Sequence, residues 1–197
     1  MALEIEGRAP SGGGTNSMMI GDTGRAYVNA VSRETKLDAA ESGNGYWIHS
    51  HFVPLTTTAS FSGILYLKNT HSTDEVHIGN LRTCGTGTGY LQWQIYKNPT
   101  TGTLITGGTA ITPVNAKFSS SDDMKADAIK GADALTITDG TLMGTWTDST
   151  PGHSTTDLGG TIILGPGDSV AIDVKPSVAQ EVCTTWQVWT EAPHVIG

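Results

Sequence analysis

The chain has 197 residues, of which 37% are hydrophobic and 15% charged, with 25 glycines and a formal charge of −8. That length supports one β-sandwich or barrel with a real core and is short for two domains. No cluster of Lys or Arg offers a footprint for a phosphate backbone, and no run approaches the roughly 20 apolar residues of a membrane helix, so neither nucleic acid nor membrane is an expected partner.

Residues 1–24 contain Ser11, Gly12, Gly13, Gly14, Thr15 and Asn16 and show no apolar periodicity, so they read as a flexible N-terminal arm. Such an arm is either an inert tail or a segment that orders against a neighbouring subunit. The first ten residues lack the basic and then apolar regions of a secretory signal, and synthesis and use without membrane crossing is the expectation.

From Arg25 onward, short apolar or alternating segments are separated by Gly, Pro, Asn and Asp, the signature of strands and turns. The candidate strands are Arg25–Ser32, Tyr46–Val53, Phe61–Asn69, Glu75–Cys84, Tyr90–Lys97, Thr109–Asn115, Thr141–Thr147, Gly160–Leu164, Ser169–Lys175 and Val182–Thr190. Only Asp122–Gly131, with Ser121 as a cap, suits a short helix or else a loop. Residues 98–102 and 165–168 have turn chemistry and predict antiparallel hairpins. The loop 148–159, rich in turn residues, reads as an exposed tip. Many strands without long helices between them predict an all-β fold, an antiparallel β-sandwich that is jelly-roll-like, formed by one domain over 25–197.

Alternation assigns faces. Val170, Ile172 and Val174 oppose Ala171, Asp173 and Lys175, so that strand is expected to be half-buried. Leu91, Trp93 and Ile95 oppose Gln92, Gln94 and Tyr96, and Val182, Thr184, Trp186 and Val188 oppose Cys183, Thr185, Gln187 and Trp189. Tyr96 and Trp189 on outer faces call for cover, either by a loop or tail of the same chain or by another subunit. Cys84 and Cys183 read as two reduced thiols, because cytosolic synthesis disfavours a bridge.

The sharpest chemical feature is His49-Ser50-His51, which on a strand would set two imidazoles on one face about 7 Å apart. Cupins carry a similar His-x-His followed by a Glu, but here Phe52, Val53, Pro54, Leu55 and Thr56 follow with no carboxylate. Gly160–Gly167 resembles the second cupin motif in part, yet Val170 stands where its histidine belongs. The histidines therefore read as strand residues facing solvent or a subunit. There is no nucleophile elbow and no phosphate loop before a helix, and the acid pairs Asp74-Glu75 and Asp122-Asp123 read as solvated turns. No enzyme, cofactor or metal is expected, and His49, His51, Tyr96 and Trp189 are the candidate interface or ligand contacts.

Leu65-Tyr66-Leu67-Lys68-Asn69, Ile95-Tyr96-Lys97-Asn98-Pro99-Thr100 and Pro166-Gly167-Asp168-Ser169, in that order, resemble segments of tailed-bacteriophage virion proteins of the jelly-roll decoration, cement or head-fibre type. The resemblance spans roughly 24–190 and rests on strands and turns. It implies a homo-oligomer, a trimer favoured, on the capsid surface of a virion, made in the host cytoplasm and bound to the major capsid protein or neighbouring virion subunits. A second implication is a host-receptor or carbohydrate-binding module, in which one of Trp47, Trp93, Trp146, Trp186 or Trp189 stacks on a sugar.

Overall fold

In the computed structural model of the chain, residues 7–8, 15–16 and 35–193 are described. The chain divides into two units, 1–34 and 35–197. Within the first, Gly7–Arg8 (β1) pairs antiparallel with Thr15–Asn16 (β2). The rest of the expected arm and the expected strand Arg25–Ser32 lie outside the described residues.

The second unit opens with a helix the sequence pattern did not announce, Thr35–Ser42 (α1). It stops at Gly43, whose φ of 85° suits the left-handed residue that ends many helices, and the Asn44 N–H closes on Ala39 O at 2.8 Å. Strands Gly45–His49 (β3), Val53–Leu55 (β4), Ser62–Asn69 (β5) and Glu75–Lys97 (β6) follow, then the short helix Thr103–Gly107 (α2). Thr109–Ile111 (β7), Val114–Asn115 (β8), Ala126–Lys130 (β9), Thr141–Leu164 (β10), Ser169–Pro176 (β11) and Gln180–Glu191 (β12) complete the chain.

All pairings are antiparallel, and the fold is all-β and sandwich-like, a curled sheet in the order β7-β9-β5-β11-β6-β12-β3-β8. The long β6 makes the curl. Its second half, Leu91–Lys97, pairs with β11, while its first half, Glu75–Gly85, pairs with β12. On its other edge β6 carries β10 along nearly its whole length, from Thr141 opposite Lys97 to Leu164 opposite Val76.

The segments expected as four separate strands are thus two continuous ones. The glycine-rich stretch 85–89 and the loop 148–159, expected as an exposed tip, lie within β6 and β10, with a register shift between Thr150 and Gly152. Neither predicted turn closes a hairpin. Residues 165–168 join β10 to β11, which flank opposite edges of β6, and residues 98–102 lead into α2. Tyr46–Val53 is broken after His49, because His51 adopts φ 56°.

One core joins Tyr46 and Ile48 of β3, Leu65 and Leu67 of β5, Trp93 and Ile95 of β6, Val170, Ile172 and Val174 of β11, and Trp186 and Val188 of β12. Burying a side chain of this size stabilises the fold by about 2–3 kcal/mol. A second, smaller cluster lies on the outer face of β5 and β11, where Leu104 of α2, Ile105, Ile129, Leu135 and Ile137 cover Tyr66 and Ala171. Consequently β11 is buried on both faces rather than half-buried, and Asp173 is only 3% exposed. Of Asp122–Gly131, expected as a short helix or else a loop, residues 122–125 are irregular, as a loop would be, and Ala126–Lys130 is the strand β9, which pairs with β5 and β7. Pairing on both edges outweighs the weak helix propensity of so short a stretch.

Cys84 and Cys183 form a disulfide, which corrects the expectation of two free thiols. They are direct cross-strand partners on β6 and β12, with Cα atoms 5.2 Å apart, within the span a bridge requires.

Candidate functional site

The histidine pair is a turn rather than a strand ladder. Ser50 points inward, exchanging hydrogen bonds with Thr184: its N–H donates to Thr184 O at 3.0 Å, and its Oγ accepts from Thr184 N–H at 2.9 Å. The left-handed His51 then swings its ring back, so the two imidazole centroids lie 4.9 Å apart and nearly perpendicular. The backbone N–H of His51 donates to His49 Nδ1 at 2.8 Å, which leaves only Nε2 of that ring open to a ligand. Partial burial, followed by the neighbouring His51 and Lys130, holds His49 below the ordinary imidazole range. Among the described residues, no group of three or more His, Cys, Asp or Glu is placed to hold a metal ion.

Trp189 is covered by its own chain. Its indole stacks on the His77 ring, centroids 5.4 Å apart, and its far edge lies where a Cβ on Gly160 would stand, 2.6 Å away. Tyr96 is half-buried, and its hydroxyl donates to Gln94 Oε1 at 2.6 Å. Burial and the nearby Asp173 raise the Tyr96 pKa. Thus the structure does not gather His49, His51, Tyr96 and Trp189 into one site: they sit on β3 and the turn after it, on β6 and on β12.

Two surfaces stand out instead. The first is the edge of the sheet at β3 and β8. Trp47 points outward from β3, Val114 is exposed on β8, and Phe118 is fully exposed in the following loop. Together with Asn115, Lys117 and Ser120 they line an open hollow of about 350 Å³. The loop is held by Asn115, whose Nδ2 donates to Gly43 O at 2.7 Å and Asp122 O at 3.1 Å, and whose Oδ1 accepts from Lys117 N–H at 2.9 Å.

The second is β10. On the side away from β6 it pairs with no described strand, over 24 residues. Trp146, Leu158 and Ile162 face the core but are only partly covered; Trp146 stacks on Trp93 with centroids 6.2 Å apart. Met143 and Ile163, each about half exposed, line a hollow of about 160 Å³ with Ile162, Leu164 and Asn98. Trp47 is among the tryptophans the sequence reading nominated for a sugar face. Phe118, Val114, Met143 and Ile163 escaped it, although a lone Phe in the polar run Lys117–Asp123 is a legible signal of an uncovered aromatic.

Comparison with known proteins finds no matching family model, no matching curated protein and no matching solved structure.

Proposed function

We propose that this chain is a structural subunit of a tailed-phage particle, one that decorates or cements the capsid through oligomeric protein–protein contacts. The observation that carries the reading is the fully exposed Phe118 beside Trp47 and Val114, held on a hydrogen-bonded loop at a sheet edge. Fixed aromatic and apolar side chains left in water are what the centre of a protein contact uses. The phage assignment itself rests on the resemblance of Leu65–Asn69, Ile95–Thr100 and Pro166–Ser169. A subunit of this kind acts by binding only the assembled shell, which stabilises that shell by mass action.

Electron cryo-microscopy of particles purified with the protein tests the reading. Density for a β-domain at regular capsid positions, lost with Phe118→Ser, is the expected result; purified shells that bind none of the protein overturn it. A second reading, a glycan- or receptor-binding module, is favoured by the same Trp47, whose outward ring borders an open hollow of about 350 Å³. Glycan binding lost with Trp47→Ala, in a protein that leaves capsids unlabelled, would select it.

A further inference from the structure

We propose that the Cys84–Cys183 bridge is a thiol–disulfide exchange site, opened by small-molecule thiols and closed by small-molecule disulfides, with Cys84 as the sulfur that meets them and His153 as its proton acceptor. The inference goes beyond the capsid reading and does not depend on it.

The sheet sets these groups in one row. Cys84 is paired with Cys183 of β12 across one edge of β6 and with His153 of β10 across the other. Directly opposed residues of antiparallel strands share a face, so the His153 side chain stands beside Cys84 with its Cβ about 5 Å away. His153 is exposed, Cys84 partly exposed and Cys183 only 8% exposed, so a solute reaches the bridge from the Cys84 end. The next row runs His49, Thr185, Arg82 and Thr155, and Arg82 Nε donates to Thr155 Oγ1 at 3.3 Å. On the other side of the bridge lies Glu181, whose N–H donates to Thr86 Oγ1 at 3.2 Å. Among the described residues, the ionisable groups around the bridge on this face are therefore His153, Arg82, His49 and Glu181. Arg82 is two residues from Cys84 on β6, and Glu181 is two residues from Cys183 on β12.

Two features separate this pair from a bridge that only braces the fold. First, β6 and β12 are in register from Val182 opposite Gly85 to Glu191 opposite Glu75, so the pairing that presets the two thiols does not need the bond. Second, Cys84 has polar, partly open surroundings with an imidazole and a guanidinium close by. Such neighbours favour the reactive thiolate, whereas inert cysteines lie buried among apolar groups. Closure takes two steps. His153 accepts the Cys84 thiol proton, and the thiolate attacks one sulfur of a small disulfide, which leaves a mixed disulfide on Cys84 and releases one small thiolate. Cys183 then loses its proton to solvent, attacks Cys84 Sγ and expels the second small thiolate. Two electrons pass from the cysteine pair to the small disulfide. Opening is the reverse, with a small thiolate attacking Cys84 Sγ and Cys183 leaving.

The test uses the full-length chain and glutathione. Reduced glutathione is expected to open the bridge with the circular dichroism spectrum unchanged, and oxidised glutathione to close it again. Iodoacetamide added to the reduced protein is expected to label Cys84 ahead of Cys183 in peptide mass mapping. Because the thiolate fraction sets the rate, His153→Gln at this exposed position is expected to slow Cys84 labelling about tenfold at neutral pH and to move its pH profile upward. Labelling of Cys183 should stay as it was. Cys183→Ser should hold glutathione on Cys84 as a mixed disulfide; if that variant fails to fold, the opening of the wild-type bridge and the His153→Gln profile decide. A bridge that opens only in denaturant, a chain that unfolds on reduction, equal labelling of the two thiols, or a Cys84 profile indifferent to His153→Gln would overturn the proposal.

Discussion

Asn98 and Asp168 are bound to each other across 70 residues of sequence: Asn98 Nδ2 donates to Asp168 Oδ1 at 2.9 Å. The same Asn98 accepts at Oδ1 from the Ser169 N–H at 2.9 Å, and Ser169 Oγ donates to Pro99 O at 3.0 Å. Nearby, Asn69 donates from Nδ2 to Leu164 O at 2.9 Å, and its backbone N–H bonds to Asp168 O. The three segments that carry the phage resemblance therefore meet at one end of the sheet, as a polar clasp joining the end of β5, the end of β6 and the start of β11. Asn98→Ala removes both side-chain bonds and a residue type that tolerates its φ of 51°. We expect a loss of about 1–3 kcal/mol, read as a lower urea midpoint at unchanged slope.

The Cys84–Cys183 bridge closes a loop across a sequence separation of 99. Paired replacement by serine is expected to cost about 2–5 kcal/mol. In the native protein neither thiol should react with iodoacetamide before reduction, and a protein that labels at both cysteines would contradict the bridge.

Asp173 faces the covered side of β11 with Oδ1 buried and without a hydrogen-bond partner, and burial pushes its pKa from 3.8 up to about 7. The folded chain therefore keeps a proton that the unfolded chain releases. The resulting stability is full below pH 3.8, declines as pH rises, and is lost by about pH 7, a span of ~4 kcal/mol. Asp173→Asn should remove this slope and be the more stable protein at about pH 8. Thermal unfolding of both proteins across that range checks it; parallel curves would refute the assignment.

Asp139 works at the other extreme. Hydrogen bonds from Thr100 and Thr101 lower its pKa to about 2, so its contribution is present above pH 3.8 and disappears as pH falls toward 2. Asp139→Ala should release residues 135–138 and speed amide exchange in α2, which Leu104 N–H ties to Thr136 O at 3.0 Å.

Gly160 adopts φ 79° with the Trp189 ring where its Cβ would stand. Gly160→Ala must therefore adopt an unfavourable backbone and displace the indole, at a cost of about 1–3 kcal/mol. A shift in tryptophan emission in the folded state is the accompanying signature.

Faces were legible where one core governs burial. Val170, Ile172 and Val174, or Trp186 and Val188, alternate as the pleat demands and lie inside. Asp173 was misjudged because the outer face of β11 is covered from elsewhere in the chain, with Leu104 of α2, Leu135 and Ile137 packed beside Ala171 on that face, whereas Trp189 has cover from its own chain, one of the two kinds its outward face called for, at His77 and Gly160. His49 and His51 were read as a ladder because a single positive φ leaves no mark in a pattern of apolar and polar residues.

The sequence by itself determined the all-β class and most strand positions among the described residues, since alternation and turn residues act over a few neighbours. Tertiary structure alone decided that β6 and β10 run through their glycine-rich middles, that the two cysteines meet, and that β10 pairs with no described strand besides β6. Those outcomes depend on which strands become neighbours, and pairing between residues far apart in the chain is set by the packing of the whole core rather than by any local preference.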